Sequence, residues 1–383
     1  MQNFYQLKRD NNPLRDEAFT FSCLGKLHPA SNSDFMQCSD YLSELLDKTI
    51  TDNCAKDEIL VVGLTESGII PSLLMHIEAV KQNIKTHIIY STRRILHGIT
   101  FKERHSHGPD HILPVPDCKI KEIWIVEDEI TTGNTILNLI VQLCCRLKVK
   151  HVRCFAFMDF RNPEQKSNFL SITDKKDIHC NFYSMQLPLE NMPVNPGQPL
   201  ILHDSDENLV NTENIEELEN IELSDRAKTA KKKNTEKILK DWYLPQKRPA
   251  LSVQSSALLN PELWSSAFKY KKGTILAVGE SVDIAACFTM VNKNLFFQQI
   301  SLSPWKIDGK SILSRMDFLG KYYLYNYENL KEPVFIICDP IDKKIETEII
   351  KKLKHNGIKV KPFFSGTEHD YGTEHDYSSP EMT

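Results

Sequence analysis

The run Ile123-Trp124-Ile125-Val126-Glu127-Asp128-Glu129-Ile130-Thr131-Thr132-Gly133-Asn134-Thr135 constrains this chain more than any other segment. Its four leading apolar residues read as a buried parallel strand. A helix is expected to open near Asn134, with Ile136, Leu137, Ile140, Val141, Cys144 and Leu147 along one face. The loop between them therefore starts a helix, where backbone N–H groups point outward and Thr131, Thr132 and Gly133 are small enough to let a phosphate approach. Glu127 and Asp128 would repel that phosphate if they shared its seat. They suit neutral hydroxyl donors a few ångströms away, such as those of a ribose. The bland alternative is an ordinary strand–turn–helix with an acidic turn.

Apolar strand, two acids and a Thr-Thr-Gly loop together resemble the 5-phosphoribosyl-1-pyrophosphate (PRPP) site of type I phosphoribosyltransferases, with Glu129 a departure where many members carry an apolar residue. Other segments resemble a narrower group, the orotate-phosphoribosyltransferase-like proteins associated with tellurium resistance, whose second domain is named TRSP for a Thr-Arg-Ser-Pro tetrapeptide. Asn12-Pro13 with Cys23-Leu24-Gly25-Lys26-Leu27-His28-Pro29 resembles the N-terminal hood of that group, and Gly63-Leu64-Thr65-Glu66-Ser67-Gly68 its pyrophosphate loop. Tyr90-Ser91-Thr92-Arg93-Arg94 and Glu103-Arg104-His105-Ser106-His107-Gly108-Pro109-Asp110-His111 resemble its lid. Gly279-Glu280 fits the second domain, but Ser301-Leu302-Ser303-Pro304 stands where the naming tetrapeptide belongs, without its arginine.

The resemblance implies an α/β protein: a parallel-sheet type I phosphoribosyltransferase fold with a second, smaller α/β domain. It implies that Thr131, Thr132, Gly133, Asn134 and Thr135 hold the 5-phosphate and that Glu127 and Asp128 hold the ribose hydroxyls. Thr65, Glu66, Ser67, Arg93 and Arg94 take the pyrophosphate, and Arg94 and Lys102 join the acids as catalytic residues. Mg²⁺ is expected mainly through substrate oxygens, since hard oxygen donors suit it. The partners are PRPP and a nitrogenous base, orotate-like or unusual, in nucleotide or nucleoside biosynthesis. Lys26 and His28 in the hood are the candidates to face that base. Many relatives form dimers, so a homodimer is expected.

Alternation of strands and helices supports the same fold class. Ile59-Leu60-Val61-Val62 ends at Gly63, helical spacing follows from Gly68 to Lys81, and Thr86 to Tyr90 and Val152 to Met158 read as further strands. Ligands of such sheets bind beyond the carboxyl ends of the strands, where Gly63 to Gly68 and Thr131 to Thr135 fall. The glycines at 63 and 68 imitate a nucleotide P-loop, but Ile69-Ile70 replaces the required Lys-Ser/Thr. The long polar segment from Ile95 to Pro116 reads as a lid that closes over the pyrophosphate. A transition-metal site at His105, His107, Asp110 and His111 is the alternative.

At 383 residues the chain is expected to form more than one unit. We expect a phosphoribosyltransferase domain with its hood over 1–203, a charged linker over 204–240, a TRSP-like domain over 241–365 and a flexible tail over 366–383. In the second domain, strands are expected over Thr274 to Val278, Leu295 to Ile300 and Val334 to Cys338, with a helix closing at Gly357 and a last stretch from Ile358 to Phe364. The tail repeats Gly-Thr-Glu-His-Asp-Tyr, which places His369 and His375 beside acids with no built site. A net charge of −4 and the isolated triplet Lys231-Lys232-Lys233 argue against nucleic acid. Ten scattered cysteines without a CxxC suit a reducing compartment, and no apolar run is long enough to span a bilayer, so a cytoplasmic protein without a membrane partner is expected. A non-catalytic PRPP sensor, with the second domain reporting occupancy, is the competing function.

Overall fold

The computed structural model describes residues 4–10, 17–49, 58–93, 98–101, 111–115, 119–185, 270–338, 343–361 and 363. The first sheet has five parallel strands: β3 (Ile59–Gly63), β4 (Thr86–Tyr90), β7 (Glu122–Ile130), β8 (His151–Asp159) and β9 (His179–Ser184). Their order is β4-β3-β7-β8-β9, a doubly wound arrangement in which the chain reverses direction between β3 and β7. Ahead of this sheet lie the hairpin β1 (Phe4–Lys8) and β2 (Glu17–Phe21) and the helix α1 (Asn32–Asp47). A capping box at Ser31 and Asp34 starts α1. The helix α2 (Ile69–Lys81) follows β3, and the short hairpin β5 (Ile99–Phe101) and β6 (His111–Leu113) follows β4. After β7 and β8 come α3 (Asn134–Leu147) and α4 (Pro163–Lys175).

The strand expected over four apolar residues is nine residues long, and this is a correction that matters for the site. β7 pairs with β3 only as far as Val126 opposite Gly63, then continues to Ile130 on β8 alone. Glu127, Asp128 and Glu129 therefore belong to the strand, and the loop proper is Thr131 to Gly133. Alternation along β7 sends Trp124 and Val126 into the core shared with α1 and α2, and Ile123 and Ile125 into the core under α3.

A second parallel sheet runs β11-β10-β14-β15, from β10 (Gly273–Val278), β11 (Leu295–Ile300), β14 (Val334–Ile337) and β15 (Val360–Lys361). Its helices are α5 (Val282–Val291) and α6 (Lys343–His355), and a hairpin, β12 (Arg315–Phe318) with β13 (Tyr322–Tyr325), lies between β11 and β14. Gly357 takes the left-handed conformation expected of it just past α6. Of the last expected stretch, the described strand is Val360–Lys361.

The two sheets share one core. Phe297, Val282, Ala285, Phe288 and Phe335 of the second half are buried in the same cluster as Phe35, Leu42, Leu73 and Trp124 of the first. The hood segment also extends the second sheet: Ala30 exchanges backbone hydrogen bonds with Phe297, and the Gln299 amide donates to the Gly25 carbonyl. Gly25, in the left-handed region, meets the Phe297 ring so closely that a Cβ there would lie 2.7 Å from it. The expected linker and tail lie outside the described residues. Among those described, no helix is long and apolar enough to cross a membrane.

Candidate functional site

Three loops leave the carboxyl ends of β3, β4 and β7 around the point where the strand order reverses. Gly63 and Gly68 bracket the first. A Cβ on Gly63 would lie 2.0 Å from Ser72 Oγ, and one on Gly68 would lie 2.7 Å from both Glu127 Oε1 and the Leu64 nitrogen. Glycine at 68 thus lets the first loop close against the acid from β7. The Gly68 amide donates to the Leu64 carbonyl, which makes the loop a tight turn, and the Thr65–Glu66 peptide is cis.

The second loop supports the first. Ser91 Oγ accepts from the Thr65 amide at 2.9 Å and lies 3.0 Å from His111 Nδ1, while Arg93 Nη2 is 3.4 Å from His111 Nε2. His111, a candidate lid residue, starts β6 opposite Phe101, buried with its ring 5.1 Å from that of Phe101, and the Thr92–Ile112 bridge ties the hairpin to the end of β4. The other lid residues Glu103, Arg104, His105, His107 and Asp110, and the catalytic candidates Arg94 and Lys102, lie outside the described residues.

Glu127 and Asp128 are both buried on the free overhang of β7, and alternation puts them on opposite faces of the strand. Glu127 lies against the loop after β3 through Gly68, whereas Asp128 is close enough to Cys23 to act on it electrostatically. Past them Gly133, with φ of +82°, turns the chain into α3, and no side chain caps that helix. Thr132 Oγ1 accepts from the Asn134 amide at 3.3 Å. First-turn amides at Thr135 and Ile136 lack partners within the helix by its geometry, which makes this end receptive to an anion.

Arg161 is a site residue that the sequence reading missed. Its Nε and Nη2 grip Asp159 at 2.9 and 2.8 Å, its guanidinium stacks 3.6 Å from the centre of the Phe182 ring, and its Nη1 is buried with no hydrogen-bond partner. The Cδ of Arg161 would lie 3.1 Å from a Cβ on Gly133, so a buried cation flanks the Thr131–Gly133 loop. The available signal was Asp159-Phe160-Arg161 at the carboxyl end of β8, next to the reversal point.

Lys26 is buried, donates from Nζ to Ser67 Oγ at 2.5 Å and lies 5.9 Å from the centre of the Trp305 ring. It serves the loop after β3, because the hood folds across that loop on its way to pair with β11. His28 lies 3.0 Å from Asn329 Nδ2 and beside the Tyr5 ring, with its pKa lowered by burial. The structure does not bring Lys26 and His28 together over a base.

Glu66 joins the two halves of the molecule. Its Oε2 accepts from Ser301 Oγ at 3.3 Å and its Oε1 from the Leu302 amide at 3.4 Å. Burial pushes its pKa above the ordinary carboxylate range, against the pull of Lys26 and Arg93 and of these two hydrogen bonds. The segment that lacks the expected arginine is thus a turn facing Glu66. Tyr325 holds it, accepting from the Trp305 amide and donating to the Ser303 carbonyl.

No curated protein matches the chain. Among solved structures it is similar to the adenine phosphoribosyl transferase of Trypanosoma brucei in complex with AMP, pyrophosphate and ribose-5-phosphate, at 13% identity and a TM-score of 0.35, over 48% of this chain and 76% of that one. The adenine phosphoribosyltransferase of Leishmania donovani is similar at 14% and 0.35, over 53% and 86%. That of Rhodothermus marinus is similar at 17% and 0.32, over 48% and 93%. Residues 4–187, the part of the chain that carries all three loops, match the model of a phosphoribosyl transferase family.

Proposed function

We propose that the chain transfers the 5-phosphoribosyl group of PRPP to a nitrogenous base and releases pyrophosphate. The supporting observation is convergence. The acidic overhang of β7, the uncapped start of α3 and the turn after β3 all meet at one reversal point, with Lys26 and Arg93 on the pyrophosphate side.

In this reading the amides and hydroxyls from Thr131 to Thr135 hold the 5-phosphate, and the Arg161 guanidinium adds a buried positive charge behind the loop. Glu127 and Asp128 accept the ribose hydroxyls from two sides, fixing the sugar so that the base meets C1 already oriented. The Thr65–Ser67 turn, Lys26 and Arg93 stabilise negative charge on the departing pyrophosphate. For Arg94, Lys102 and the lid, which lie outside the described residues, the proposed roles are cationic contact with the pyrophosphate and exclusion of water.

The two carboxylates are hard oxygen donors that suit Mg²⁺, and no group of three or more His, Cys, Asp or Glu among the described residues forms a metal cage of its own. Mg²⁺ would be held mainly by substrate oxygens, and when bound it would supply charge neutralisation at the pyrophosphate. For the acceptor we propose a planar nitrogenous base, orotate-like or a less common one. Pyrophosphate release from PRPP across a panel of purine and pyrimidine bases tests the proposal. Turnover with one class of base is the expected result. Tight PRPP binding with no turnover on any base would favour the sensor reading instead.

A further inference from the structure

The second sheet reverses its strand order between β10 and β14, as the first does between β3 and β7, and the turn that leaves β10 there is Gly279-Glu280-Ser281. Glu280 reaches across to the first sheet. Its Oε2 accepts from Thr92 Oγ1 at 2.6 Å and its Oε1 from the Arg93 amide at 2.7 Å, so both oxygens are spent on adjacent donors just past β4. The contact is reciprocated. Glu66 of the first unit accepts from Ser301 and Leu302, just past β11. Each half of the molecule thus sends one carboxylate from the carboxyl edge of its sheet to donors on the carboxyl edge of the other.

These acids are not needed to dock the halves together. A continuous apolar core and the pairing of Ala30 with Phe297 already do so. A carboxylate beside a pyrophosphate seat is also an unfavourable choice of interfacial contact, because it repels the ligand unless its charge is committed to fixed donors. Glu280 holds the Thr92 side chain and the Arg93 backbone amide, while His111 lies against the Arg93 guanidinium from the hairpin side.

We infer that Glu280 of the second sheet is a positioning residue for pyrophosphate recognition: it holds the Thr92 hydroxyl and the Arg93 backbone amide so that the Arg93 guanidinium meets the leaving group. The phosphoribosyltransferase unit then depends on the second sheet for the pyrophosphate side of its site and not for the 5-phosphate side. This rests on the function proposed above.

Calorimetric titrations of the full chain with PRPP, pyrophosphate and ribose 5-phosphate, each with Mg²⁺, separate the two sides. Glu280→Ala should weaken PRPP and pyrophosphate about tenfold or more, the order expected for losing a charge-assisted hydrogen-bond pair, and leave ribose 5-phosphate unchanged. Glu280→Gln, whose carbonyl can still accept from the Arg93 amide, should restore most of the affinity. Thr92→Val, which deletes one donor, should move pyrophosphate in the same direction and carries the test if Glu280→Ala fails to fold. Wild-type affinity for pyrophosphate in Glu280→Ala, or in Thr92→Val where that variant carries the test, would overturn the inference alone, as would an equal loss of ribose 5-phosphate. A wild-type chain that binds neither PRPP nor ribose 5-phosphate would overturn the proposed function, and the inference with it.

Discussion

Gly133 and Asp128 carry the most specific expectations. Gly133 sits at φ of +82°, and any Cβ there would crowd Arg161 Cδ at 3.1 Å and the Phe169 ring at 3.2 Å. Gly133→Val should cost about 1–3 kcal/mol of stability, read as a drop in Tm, and should abolish PRPP binding because the loop can no longer close on a phosphate. Asp128→Asn replaces a carboxylate by an amide of the same shape. We expect Tm within a few degrees of wild type and kcat reduced by about tenfold or more, since a neutral acceptor responds less to charge developing on the ribose. Wild-type kcat would remove Asp128 from the reaction. The sequence singles these residues out as candidates through the acidic pair and the Thr-Thr-Gly run. Their placement was not legible there. That the acids lie within β7 follows from β8 outrunning β3, a fact of pairing that no local pattern records.

Among the elements, those with an uninterrupted apolar run were readable: β3, β4, β10, β11 and the starts of α2 and α3 lie where the periodicity puts them. The hairpins β1–β2, β5–β6 and β12–β13 were not. Their strands are short and gain their burial from partners distant in sequence, as Leu7 does from Trp305 and Tyr325. The packing of α2 on β4 gives a pH prediction. His76 is fully buried, its Nδ1 shares a 2.7 Å hydrogen bond with Thr86 Oγ1, and its Nε2 has no acceptor. Burial, reinforced by His87, lowers its pKa to about 4. The neutral ring therefore contributes stability above the unfolded value near 6.5 that is lost as pH falls towards 4, on the order of 3 kcal/mol. Denaturant unfolding across that range should show this acid limb in the wild type, and His76→Gln should flatten it. An equally steep limb in the variant would assign the loss to other groups.

The continuity of the core bears on how the chain unfolds. Phe297 is fully buried, packs near Phe35 and covers Gly25, although it belongs to the second sheet. Phe297→Ala should destabilise the chain by about 3–5 kcal/mol. Calorimetry of the wild type should show one cooperative transition spanning both sheets, whereas two resolved transitions would mean that the halves fold independently. The sequence reading treated the second half as a separate domain because its α/β pattern restarts after a charged stretch. Contacts such as Thr92 with Glu280 and Glu66 with Ser301 join residues about two hundred positions apart, and no motif announces them. The contacts of Lys26 were not legible either: its partner Ser67 and its neighbour Trp305 meet it only in the fold. The central claim is that the β7 overhang and the start of α3 form a seat for PRPP. Isothermal titration of PRPP with Mg²⁺ into the wild type and into folded Gly133→Val tests it most directly. Saturable binding by the wild type and none by the variant is the result expected. No binding by the wild type, or equal binding by both, would contradict it.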